Sequence, residues 1–179
     1  MEENKSTINK LILLFVLDKM EIPLTENSIV EICTAGTEPW INYMEYREIK
    51  AELIDAGFIY KTNEGQNEDR YNITYEGRNC LSHFYTKIPY NLREEITNWT
   101  KDNRMHFKRS QEYVGDYSKN DDGSYTLTLK IRAPLISQPM LEIKLKAPTR
   151  QSAIEACKKW KDKAPGVYET IYETLINID

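Results

Sequence analysis

A chain of 179 residues with 40% hydrophobic and 29% charged residues is long enough for one ordinary domain or two small ones. Its apolar content and 12 tyrosines are too rich for a disordered chain, and 7 glycines with 7 prolines exclude collagenous or low-complexity character. The formal charge of −4 hides an asymmetry: residues 1–88 hold 9 Lys and Arg against 15 Asp and Glu, whereas residues 89–179 hold 15 against 13. A first half at −6 is unfavourable for indiscriminate phosphate binding.

Cys33, Cys80 and Cys157 are an odd number, far apart and without a CxxC pair. That pattern fits reduced thiols and argues against a disulfide framework or a zinc ribbon. The longest apolar run, residues 11–17, falls far short of the roughly 20 residues that span a bilayer. Glu2 and Glu3 stand before it and Asp18-Lys19 after it, where a signal peptide has a basic region and small residues. A cytoplasmic protein without a membrane segment is expected.

Ser6 or Thr7 can cap a first helix running to about Met20, ahead of Pro23. Its run at 11–17 is apolar on every face, which predicts cover on more than one side. A second helix follows Pro23, with Thr25 as N-cap, Leu24 and Ile29 at hydrophobic-staple spacing, and Gly36 as the stop. The third starts at Asn42, with Glu45 at capping-box spacing, and ends at Gly57. Residues 58–60 and 71–73 read as short strands around a polar tip at 63–67, and Thr74 then caps a fourth helix. Helix, helix, helix, hairpin is the winged helix-turn-helix plan, in which the third helix reads DNA and the hairpin is the wing.

Pro89 marks a join, so the expected domains are 1–88 and 89–179. Leu92, Ile96 and Trp99 line one face of a long helix. Strands are expected around 113–117, 125–132 and 141–147, with Asn120-Asp121-Asp122-Gly123 as a hairpin turn. Thr149 opens a helix bearing Ala153, Cys157 and Trp160. Pro165-Gly166 should end it, and a last helix carries Tyr168, Ile171, Tyr172 and Leu175. The expected class is α+β: an N-terminal winged helix-turn-helix, then a small antiparallel sheet covered by C-terminal helices.

Two segments resemble those of known regulators. The segment from Asn42-Tyr43 through Ala51-Glu52-Leu53-Ile54-Asp55-Ala56-Gly57-Phe58-Ile59 is similar to the third helix and first wing strand of winged-helix regulators. Tyr71-Asn72-Ile73-Thr74-Tyr75-Glu76-Gly77-Arg78 is similar to the step from the second wing strand into the next helix in regulators of the PadR and MarR types. The stretch from Phe84 to Ile96, with Ala156-Cys157-Lys158-Lys159-Trp160, resembles a narrower bacterial family, domain of unknown function 4364. That likeness implies a winged helix, a C-terminal α+β domain and a regulatory role.

On the third helix, Tyr46, Ile49, Leu53 and Ala56 share a face that should enter the core. Glu45, Glu48, Glu52 and Asp55 form an acidic flank, and Tyr43, Arg47, Lys50 and Ile54 a partly basic one. Tyr43, Arg47 and Lys50 are therefore the candidate DNA-reading residues. Neither cation has a carboxylate three or four residues away, so both are expected free for an outside partner or hydrated. The wing opposes strong affinity, since Glu64, Glu68 and Asp69 outweigh Lys61 and Arg70. Lys130, Arg132, Lys144 and Lys146 fall on a common polar sheet face, either an anion-binding surface or a solvated one.

His83 and His106 lie in different elements, and no HExxH, GxGxxG or P-loop spacing occurs. Cys80 and His83 at i, i+3 are a pair without further ligands, so neither enzyme, cofactor nor metal is expected. Double-stranded DNA is the expected partner of a homodimer, with the first helix and the helix after Pro89 in or near its interface. The alternative is a protein-interaction module on the same scaffold.

Overall fold

The computed structural model describes residues 2–34, 38–62, 69–133 and 138–176. The expected helix stop at Gly36 and the hairpin tip, with Glu64 and Glu68, lie outside the described residues. The architecture is α+β, with six α-helices and two three-stranded antiparallel sheets among the described residues. Two compact units divide the chain, Met1–Phe107 and Lys108–Asp179.

The first unit runs α1 (Glu2–Met20), β1 (Leu24–Thr25), α2 (Glu26–Thr34), α3 (Tyr43–Asp55), β2 (Ile59–Thr62), β3 (Arg70–Ile73) and α4 (Tyr75–Phe84). A 3-10 turn over Tyr85–Lys87 leads to α5 (Tyr90–Glu112), which starts directly after Pro89. The sheet order is β1-β3-β2, with Leu24 opposite Tyr71 and Ile59 opposite Ile73.

Residues 11–17 of α1 are each 3% exposed or less, enclosed by neighbours that include α3, α4 and β3. Ile96 and Phe107 of α5 join the same core, and Trp99 packs on it edge-to-face with Trp40 at 5.6 Å between ring centres. The apolar circumference of α1 is thus satisfied within one chain and needs no second copy to cover it. The ground on which the sequence placed α1 at a dimer interface is removed by this packing.

Local signals set the helix boundaries. Thr25 Oγ1 accepts the Ser28 N–H at 3.3 Å, and Leu24 and Ile29 are both buried, as a staple requires. Asn42 Oδ1 accepts the Met44 N–H at 2.9 Å. Glu45, which stands at capping-box spacing, instead reaches α1, accepting from Lys5 at 3.1 Å and Asn9 at 3.0 Å. At the other end of α3, Gly57 takes φ +75, Phe58 N–H reaches the Leu53 carbonyl and Gly57 N–H the Ile54 carbonyl, each at 2.9 Å. That pair of bonds is a Schellman stop.

The second unit is a meander of β4 (Tyr113–Lys119), β5 (Tyr125–Ile131) and β6 (Leu141–Ala147) with α6 (Arg150–Leu175) on one face. Its core joins Leu127, Leu129 and Ile131 to Ala153, Trp160 and Ala164, and Trp160 Nε1 donates to the Lys130 carbonyl at 3.1 Å. A Cβ on Gly115 would stand 3.2 Å from the backbone of Cys157, so β4 and α6 approach closely there.

The two expected C-terminal helices are one helix of 26 residues, with Pro165 inside it. Pro165 and Gly166 sit on the exposed side, where water can solvate the carbonyl that proline leaves unbonded. Trp160 and Ala164 before them, and Val167 and Tyr168 after, belong to one sheet-facing stripe, which holds the helix through the interruption. A Cβ added at Gly166 meets open space in a helical segment. Gly166→Ala should therefore stabilise the unit by about 1 kcal/mol, read as a higher urea midpoint.

Candidate nucleic-acid interface

Tyr46, Ile49 and Leu53 turn into the core, which leaves the rest of α3 to face outward or toward neighbouring helices. Tyr43 is 49% exposed. Arg47 is exposed and has no partner among the described residues.

Lys50 departs from the expectation of a free cation. Its ammonium pairs with Glu26, the first residue of α2, and lies over the Tyr71 ring at 4.6 Å and the Tyr46 ring at 5.6 Å. Only 16% of its side chain is exposed. The i±3 and i±4 neighbours of Lys50 hold no carboxylate, but a residue 24 positions earlier supplies one through the tertiary fold. Glu26 also accepts from the fully buried Tyr46 hydroxyl at 3.0 Å. Burial and the Glu26 carboxylate together hold that phenol far above its ordinary range. Glu26, seated in the first turn of α2 where the helix dipole favours an anion, thus fixes α3 against α2.

The acidic flank of α3 is largely a docking face for α1. Glu45 binds Lys5 and Asn9, and Glu52 pairs with Lys10, while Glu48 and Asp55 stay exposed. On the β2–β3 hairpin, Lys61 pairs with Asp69 at 2.6 Å, a bond that raises the lysine above its usual range, and Arg70 is buried. Arg70 is thus withheld from phosphate, and Lys61, though exposed, is already engaged by Asp69.

In the second unit the sheet brings Lys130, Lys144 and Lys146 onto one face, yet each has an acid beside it. Lys130 and Lys144 flank Glu142 at 3.2 and 3.4 Å and hold its carboxyl below the usual range. Lys146 pairs with Asp122, whose carboxyl is held well down by that lysine and by Ser124. Arg132 is partly buried, and its backbone N–H donates to the Glu112 carbonyl at 2.8 Å. Glu142 and Asp122 offset two of the three lysine charges, so the face keeps only part of its positive charge.

His83 Nδ1 donates to the Asn79 carbonyl at 2.7 Å, within its own helix, and His106 packs edge-on to Phe107. Among the described residues no three His, Cys, Asp or Glu side chains are grouped to hold a metal ion. No helix is long and apolar enough to cross a membrane among those residues.

A protein-family model, domain of unknown function (DUF4364), matches residues 9–175, and the chain belongs to that family. No curated protein and no solved structure is detectably similar to it.

Proposed function

We propose that the first unit is a winged helix-turn-helix that binds double-stranded DNA, with α2 and α3 as the helix-turn-helix and β2–β3 as the wing. The element order α1-β1-α2-α3-β2-β3 and the sheet order β1-β3-β2 support this reading. The observation that carries the DNA step is the outward face of α3, where Arg47 stands unpaired beside exposed Tyr43. Arg47 reads a base edge or a phosphate, and Tyr43 donates to the backbone. Lys50 becomes a positioning residue in this scheme, because Glu26 already engages it.

Operators read by such domains are commonly paired half-sites about 34 Å apart, which makes a homodimer part of the proposal. Light scattering tests that part separately. The second reading, a protein-interaction module, is favoured by exposed Glu48, Asp55 and Met44 beside the same face.

Selection of genomic fragments at low salt, followed by titration of the winning site, decides between them. Arg47→Ala should cost about 1–3 kcal/mol of affinity with an unchanged melting temperature. Lys50→Ala should lower the melting temperature as well, and Glu45→Ala should leave the contact face intact. Failure to enrich any fragment, or an Arg47→Ala variant that binds as well as the parent, favours the protein-interaction reading.

A further inference from the structure

A half-open recess of about 150 Å³ lies beside α1 in the first unit. Leu11 and Leu14 of α1, Leu53 in the last turn of α3, Phe58, and Cys80 with Phe84 of α4 form its walls, which are almost wholly apolar. Its rim carries two lysines with unlike surroundings. Lys10 is paired with Glu52. Lys87 lies 4.9 Å over the Phe84 ring and has no carboxylate partner among the described residues.

Size, lining and charge together define an occupant. An enclosed cavity of about 150 Å³ walled by Leu and Phe takes up a benzene-sized group, and this half-open recess offers comparable room and lining. Thr7 and the two lysines are the main polar groups on the lining, too few for the many donors and acceptors of a sugar, a nucleotide or a polar peptide, whose burial there is unfavourable. Phe84 stays 45% exposed at the lip, apolar surface that an apolar guest would cover. The uncompensated ammonium of Lys87 supplies a partner for one negative charge at the mouth.

We infer that this recess is a binding site for a small apolar monocarboxylate, with a ring or short chain of about six carbons against Leu11, Leu14 and Leu53 and its carboxylate against Lys87. The site lies wholly within the first unit and does not depend on DNA binding.

Benzoate titrated into the full chain tests it, followed by backbone amide NMR shifts and by alkylation of Cys80. Cys33 is fully buried, with its thiol pushed up to about 12 by desolvation, so a Cys157→Ser background leaves Cys80 as the thiol that reacts in the native protein. Benzoate should give saturable shifts around Leu11, Leu14 and Leu53 and slow the alkylation of Cys80. Benzyl alcohol, the neutral analogue, should bind about tenfold more weakly. Lys87→Gln, a change on an exposed turn, should weaken benzoate about tenfold and leave benzyl alcohol unchanged. No saturable shift with benzoate or hexanoate at millimolar concentration overturns the site, as do shifts that map elsewhere. Equal benzoate affinity in the parent and Lys87→Gln overturns the carboxylate assignment.

Discussion

Gly77→Ala is expected to destabilise the first unit by about 3 kcal/mol, seen as a lower urea midpoint with an unchanged slope. A Cβ at this position would stand 2.3 Å from the Phe58 carbonyl oxygen and 2.8 Å from Ile73 Cγ1. Neither neighbour has room to retreat. The Phe58 oxygen accepts the Thr74 N–H at 3.0 Å, and Ile73 is 1% exposed within β3. Gly77 is also the residue whose N–H binds Thr74 Oγ1 at 3.0 Å, while that hydroxyl donates to the Gly57 carbonyl at 2.7 Å. Absence of a side chain at Gly77 is therefore what lets α4 seat on the end of the hairpin. A variant within about 0.5 kcal/mol of the parent would show that α4 can shift away without cost.

Leu13→Ala should cost about 3 kcal/mol, and Leu13→Asp should leave no folded first unit by circular dichroism. Leu13 is 0% exposed in the middle of α1, in the same core as Phe15, Tyr46 and Ile73. A helix serving chiefly as an interface between copies behaves differently, because an interface aspartate yields a folded monomer. Folded, monomeric Leu13→Asp would contradict the enclosed position of α1.

The boundaries that sequence made legible are those governed by contacts within a few residues. Asn42 and Thr74 cap their helices as their side chains suggested, and Thr149 forms a capping box with Ser152. Asn120 and Gly123 close the hairpin through the Gly123 N–H, with Gly123 at φ +81. The three strands of the second sheet were visible because apolar residues alternate along β5. Long-range choices were not legible. The strand β1 is two residues long and exists only because Tyr71 and Arg70 pair with it, so no periodicity could announce it. Pro165 is tolerated because the stripe on either side already packs on the sheet, a tertiary effect that outweighs a local rule.

The candidate site shows the same limit more sharply. Helical reach correctly found no acid near Arg47 or Lys50, but it cannot see across from α2 to α3. Glu26 therefore changes the role of Lys50 while leaving that of Arg47 untouched. On the second sheet, strand alternation put Lys130, Arg132, Lys144 and Lys146 on one face; Lys130, Lys144 and Lys146 lie in β5 and β6, while Arg132 follows the end of β5. Cross-strand register then set Lys130 opposite Glu142, a pairing that depends on loop length as well as alternation.

The three tryptophans are divided between the units in a way that gives the protein its own optical reporters. Trp40 and Trp99 are half-buried edge-to-face neighbours in the first unit, and Trp40 Nε1 donates to Glu95 at 2.8 Å. Trp160 is buried in the core of the second, with tyrosines near it but no other tryptophan. Trp160→Phe leaves emission from the coupled pair, while Phe at both 40 and 99 leaves the bluer emission of a single dry indole. Unfolding followed in those two backgrounds separates the melting of each unit by colour, with no external dye attached to either.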